Sequence, residues 1–161
     1  MFNLKAEFYL KIIFLFSFIA LISAFFIEYI LGHQPCNLCL IERIPYGLSI
    51  MIIMAIFLIR KNQKFLVMLL ILTFIFSFAI SFYHFGIEQG FFQESSVCGV
   101  KSSTEIVTKE DLLKQLSEKT ISCKDVTFRI FGLSLTSINI VISLLFIITL
   151  FKIFKKYEKN R

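Results

Sequence analysis

Four cysteines carry the chemistry available to this chain: Cys36 and Cys39, two residues apart in "HQPCNLCLIER", and Cys98 and Cys123 further on. Thiols exchange with disulfides, bind soft metals or close bridges, and four of them allow three pairings. Cys36 and Cys39 are near enough in sequence for a tight, exchangeable CxxC disulfide, while Cys98 and Cys123, 25 apart, close a longer loop, and this pairing is favoured. A purely structural pair of staples on an oxidising side of a membrane suits Cys98 and Cys123. It suits the CxxC pair poorly, because so small a loop restricts the unfolded chain little. Haem attachment of the c type fails, since Leu40 follows Cys39 where a histidine is needed. Zinc needs reduced thiolates and normally two close pairs, so no metal ligands are assigned. A disulfide-stapled membrane scaffold or a metal-handling protein remains the alternative to a thiol enzyme.

The elements that must position these sulfurs are apolar. Of 161 residues, 57% are hydrophobic and 21 are phenylalanine, with polar residues gathered in blocks, which is a membrane composition. Apolar runs at about 12–31, 44–59, 65–85 and 130–151 each approach the roughly 20 helical residues that cross a bilayer. The second is short and gains length if its helix begins upstream, near the cysteines. Backbone groups left unpaired in lipid are costly, so the runs predict helices and the fold class is an all-α membrane protein, a four-transmembrane-helix bundle over 1–161. The first run is too long for a signal-peptide core and is read as a retained helix.

Four spans put both termini on one side and the loops at about 32–43 and 86–129 on the other, so all four cysteines share a side. Lys5, Lys11, Arg60, Lys61, Lys64, Lys152, Lys155, Lys156, Lys159 and Arg161 lie in the tails and middle loop, with only Glu7 and Glu158 as acids there. The long loop has six basic and seven acidic residues and no such bias. The positive-inside rule therefore predicts cytoplasmic termini and two outward-facing cysteine-bearing loops. Orientation and attraction to anionic membrane lipids account for the net charge of +6, which makes nucleic-acid binding an unnecessary inference. Within the long loop, Thr108 before "KEDLLKQLSEK" predicts a short amphipathic helix, with Leu112, Leu113 and Leu116 on one face.

Reach separates the two pairs. Cys39 is five residues before Ile44, which keeps it within roughly 18 Å of the second span even when fully extended. Cys98 lies 13 residues past Phe85, long enough to meet a soluble protein. Electrons from a soluble dithiol would pass to the loop pair, then to CxxC, then to an acceptor that is not a thiol. No glycine motif for a flavin or nicotinamide is present, and a lipid-soluble quinone is the natural acceptor.

"PCNLCLIER" after the first span, "YHFGIEQG" after the third, Cys98 and Cys123 in the second loop and "FGLSLTSIN" opening the fourth span together resemble the disulfide bond formation protein B (DsbB) family, over nearly the whole chain. The resemblance implies a protein-dithiol:quinone oxidoreductase of the bacterial inner membrane that reoxidises a periplasmic thioredoxin-like DsbA-type protein, with ubiquinone or menaquinone as cofactor. By the same resemblance Cys36 and Cys39 pass electrons to quinone, with Cys39 nearest the ring. Cys98 forms the mixed disulfide with the partner and Cys123 completes the second bridge, while Arg43 and His84 lie at the quinone site.

The residues bear on those roles independently. A fixed cation lowers a thiol pKa while desolvation raises it, so Cys39 at the lipid boundary benefits from Arg43, four residues on and on the same helix face. Arg43 would also stabilise the anion developing on a quinone oxygen, though an arginine snorkelling to head groups fits the same position. Pro45 disfavours helical geometry at Ile44, predicting a kink or a helix start there, and Pro35 restrains the entrance to CxxC as a turn residue or a first helical residue. Glu28 is expected at the interface, and Ser134, Ser137 and Asn139 are expected to join helices.

Overall fold

In the computed structural model, the described residues are 4–59, 62–94, 98, 122–124, 129–130 and 132–159. They form α1 (Leu4–Tyr29), α2 (Asn37–Leu58), α3 (Gln63–Glu88), a two-stranded ribbon of β1 (Arg129–Ile130) and β2 (Leu133–Ser134), and α4 (Leu135–Lys159). All four helices are long and apolar enough to cross a membrane. α2 packs between α1 and α3, α3 packs on α4, and α4 touches α1, so the four close into a bundle. The amphipathic segment expected after Thr108 lies outside the described residues.

The helix ends depart from the apolar runs for physical reasons. α1 begins at Leu4, well before the apolar run, because Lys5, Glu7 and Lys11 extend the helix without needing lipid. α2 begins at Asn37 and passes through Pro45. Cys36 is its N-cap, and the Cys36 sulfur accepts the Cys39 backbone N–H at 3.3 Å, satisfying one of the donors that a helix start leaves open. Pro35 is therefore neither a first helical residue nor the cap, but the residue before it. α4 starts at Leu135 because the chain before it turns back on itself: Arg129 pairs with Ser134 and Ile130 with Leu133. Gly132 supplies the left-handed backbone, φ 83°, that the two-residue turn requires. Ser134 then caps α4, its Oγ accepting the Ser137 N–H at 3.2 Å.

Away from the cysteines the core is apolar. Leu10 and Ile13 of α1, Ile53 and Ile56 of α2, Val67, Leu70 and Phe74 of α3, and Leu150 of α4 are buried together. Phe146 of α4 ties the helices by edge-on rings, 5.0 Å from Phe74 and 5.4 Å from Phe16. The outward faces expose Phe18, Met51, Phe76 and Leu145, a surface suited to hydrocarbon and unsuited to water. Towards the cysteines the core turns polar. Asn139 of α4 donates to Ser81 of α3 at 2.7 Å and to Glu42 of α2 at 3.2 Å, and its carbonyl accepts from Tyr46 of α2 and from Ser143. Both amide donors and both acceptor positions are thereby used, so one side chain joins three helices.

Candidate functional site

The site is built where the start of α2 meets the end of α3. The Cys36 cap presents its sulfur towards the first turn of α2, and the Cys39 sulfur lies 2.7 Å away, with neither cysteine in a disulfide. From α3, His84 brings Nε2 to 3.6 Å from the Cys36 sulfur. The other ring nitrogen, Nδ1, sits 2.9 Å from Glu42 Oε1, and Glu42 is held in turn by Asn139. A hydrogen bond to one ring nitrogen fixes which way the other faces, so the Asn139–Glu42–His84 chain aims Nε2 at the sulfur. Thr136, at the start of α4, donates to Glu88 Oε1 at 2.7 Å and lies 3.4 Å from His84 Nδ1. Glu88 Oε2 is buried with no hydrogen-bond partner among the described residues.

The second pair folds back onto the first. Cys98 and Cys123 form a disulfide with a Cα–Cα distance of 5.7 Å, and it packs with Cys36, Leu38 and Ile87 in a single buried cluster flanked by Cys39, Ile41 and Tyr83. Cys98 is 1% exposed and Cys123 2%, although the 13 residues from Phe85 to Cys98 are long enough for Cys98 to meet a soluble protein outside the bilayer. Chain length permitted that reach, but apolar contact on Ile87 and Leu38 draws the bridge inward. The exit from α3 favours this course: Gly90, φ 78°, reverses the chain, and Phe91 and Phe92 N–H groups return to the Gly86 carbonyl at 2.8 and 3.1 Å. Phe92 stacks on Tyr83 with ring centroids 5.7 Å apart and covers Gly86, where a Cβ would enter the ring. Glu94 then accepts from Ser122 and from the Lys124 N–H, tying the two sides of the loop beside Cys123.

Arg43 takes a different direction. Its guanidinium pairs with Glu28 of α1 and stands 5.3 Å from the Phe25 ring centroid, on the α1 side of α2. Glu28, one residue before the end of α1, is thus the partner of an ion pair. The side chain from another helix that meets a CxxC sulfur is His84, and the sulfur it meets is Cys36. Four of the expected site residues, Cys36, Cys98, Cys123 and His84, come together with Cys39 at the rim, and Arg43 does not join their contacts. Glu42, Thr136 and Asn139 were not anticipated as parts of the site. Glu42 had one available signal, its place in "CLIER" one helical turn after Cys39; the other two lie on α4 within "FGLSLTSIN", where Asn139 was expected only to join helices.

The family model described as disulfide bond formation protein DsbB matches residues 6–153. The chain belongs to the DsbB family. It is also 32% identical over 136 residues to the uncharacterized protein RP370 of Rickettsia prowazekii (strain Madrid E), covering 83% of this chain and 79% of that one. No solved structure matches it. As a DsbB-family protein with four membrane-spanning helices it is a multi-pass membrane oxidoreductase of disulfide bond formation.

For the DsbB-family CxxC pair the local chemistry is unequal. The Cys39 thiol hydrogen bond, aided by the hydrogen bond and charge of His84, holds the Cys36 thiol down at about 4 although burial opposes it. Only the thiolate attacks, so alkylation of Cys36 in the reduced protein is expected to be flat with pH from about 5 upward, whereas an ordinary thiol gains about tenfold per pH unit up to roughly 8.5. Cys39→Ala removes the largest cause and should move the midpoint up. Iodoacetamide labelling followed by mass spectrometry reads both; a midpoint near the ordinary thiol value in the unaltered chain contradicts this electrostatic reading.

Proposed function

We propose that the chain oxidises a DsbA-type soluble dithiol protein and reduces a membrane quinone, passing electrons through two disulfides. The observation that carries this reading is the single buried cluster that holds the Cys98–Cys123 disulfide against a CxxC pair whose sulfurs are 2.7 Å apart. A dithiol arriving from solution attacks the Cys98–Cys123 bond when that bond leaves its buried cluster, leaves as a disulfide, and transfers two electrons to this pair. The resulting thiols reduce a Cys36–Cys39 disulfide in the same way. The two electrons and two protons then held by Cys36 and Cys39 must leave to something other than sulfur.

The donor set fits a quinone. Arg43 has five N–H donors, of which the Glu28 pair engages those on Nη1, and it stands against the exposed Phe25 ring. Arg43 would hold a carbonyl oxygen there, and His84 Nε2, against Cys36, would move the thiol proton. The quinone supplies a two-electron, two-proton acceptor soluble in the bilayer. The basic tails and middle loop support cytoplasmic termini, an outward-facing redox centre and residence in the bacterial inner membrane, with 1–161 acting as one domain.

Trapping tests the entry of electrons. With Cys123→Ser, a mixed disulfide between Cys98 and a thioredoxin-like partner should accumulate on non-reducing gels; a mixed disulfide that forms equally well with Cys98→Ser would remove Cys98 from the entry step.

A further inference from the structure

We propose that the reduced form of this site is also a metal site, in which Cys36, Cys39 and His84 chelate a thiophilic divalent cation of the zinc class and so block disulfide formation. The three ligand atoms lie within 4.8 Å of one another. Tetrahedral zinc, with bonds of about 2.3 Å to sulfur and about 2.0 Å to nitrogen, sets its ligands roughly 3.8 Å apart for two sulfurs and roughly 3.5 Å for sulfur and nitrogen. The Cys36 sulfur to His84 Nε2 distance, 3.6 Å, already has that value. The two sulfurs, at 2.7 Å, need to open by about an ångström, a side-chain rotation at Cys39 in the first turn of a helix.

A second, independent observation points the same way. His84 Nδ1 meets the Glu42 carboxylate at 2.9 Å and Glu42 meets Asn139 at 3.2 Å, which is the carboxylate–histidine support that orients a metal-binding imidazole. The charges also suit a buried site: a divalent cation offsets two thiolates beside the Glu42 carboxylate, which lowers the cost of burying those anions. Three protein ligands leave a fourth position for water or an incoming thiol, so this is an open site and not a structural one.

Chelation and the disulfide exclude each other. Binding replaces two protons, one from Cys39 and one held between Cys36 and His84, by one cation, with no electron transferred, and it requires both sulfurs reduced. The cation therefore captures the chain when its sulfurs stay reduced, as they do when an electron acceptor is scarce. That inhibitory consequence rests on the thiol-oxidase reading, whereas the binding itself does not.

The test uses the full chain in detergent with Cys98→Ser and Cys123→Ser, so that only the CxxC thiols respond, and Co2+ as the visible probe. The reduced protein should take up one Co2+ per chain with a thiolate-to-cobalt absorption band that Zn2+ abolishes, and the diamide-oxidised protein should take up none. Cys36→Ser should lose the band, and Glu42→Gln should keep it with affinity about 10- to 100-fold weaker. Equal uptake by oxidised and reduced protein, a band that survives Cys36→Ser, or no band in the reduced protein would each overturn the proposal. None of these readouts depends on quinone or on a partner, so failure of the oxidase reading would show separately as absent quinol formation.

Discussion

Replacing either Cys36 or Cys39 by serine is expected to lower dithiol-driven quinol formation by on the order of 1000-fold or more, the scale of losing a group that forms the covalent intermediate. The two sulfurs stand 2.7 Å apart, and neither can form its bond alone. Stability should change little, because a loop closed between residues three apart contributes little chain-entropy restraint. A scaffold with two staples predicts the reverse: turnover spared and folding disturbed. Quinol absorbance and thermal unfolding, measured on the same preparation, distinguish the two outcomes. A serine variant that turns over at near the parental rate removes CxxC from the reaction.

His84→Ala carries the second large effect. His84 touches both the Cys36 sulfur and Glu42, and on the proposed reading it serves the proton transfer at that sulfur. Loss of a positioned acid–base group costs roughly 100-fold or more in rate. The loss should fall on kcat, leaving the KM for the soluble dithiol within about twofold, since no surface that a partner can reach is altered. The alkylation midpoint of Cys36 should rise at the same time, because one of the groups favouring its thiolate is gone. A purely structural histidine would lower the yield of folded protein without moving that midpoint. A variant that keeps full kcat contradicts the proton-transfer role.

The four helices were legible because lipid imposes a length and an apolar composition that the chain states openly. Their ends were less so. Charged Lys5, Glu7 and Lys11 lengthen α1 beyond its apolar run, and the start of α2 depends on a sulfur acting as cap ahead of Pro45. The CxxC pair was legible from spacing, as was the favoured bridge between Cys98 and Cys123, which is present. What spacing conceals is convergence. His84 and Glu42 are 42 residues apart and Asn139 and Glu42 are 97 apart, and only the packing of α2, α3 and α4 brings them into one chain of hydrogen bonds. Helical periodicity suggested Arg43 as the cation beside Cys39, but periodicity does not reveal an acid on another helix. Glu28 of α1 pairs with Arg43 on the α1 side of α2, whereas His84 approaches the neighbouring Glu42 from α3.

On the proposed reading, sulfur chemistry at the bundle end drains into a carrier dissolved in lipid. The most direct measurement follows oxidation of a reduced thioredoxin-like DsbA-type protein by the purified chain in nanodiscs prepared with and without ubiquinone or menaquinone, under argon. One quinol formed per dithiol oxidised, with turnover ceasing in the quinone-free discs, is the predicted result; undiminished catalytic turnover in discs stripped of quinone contradicts the account.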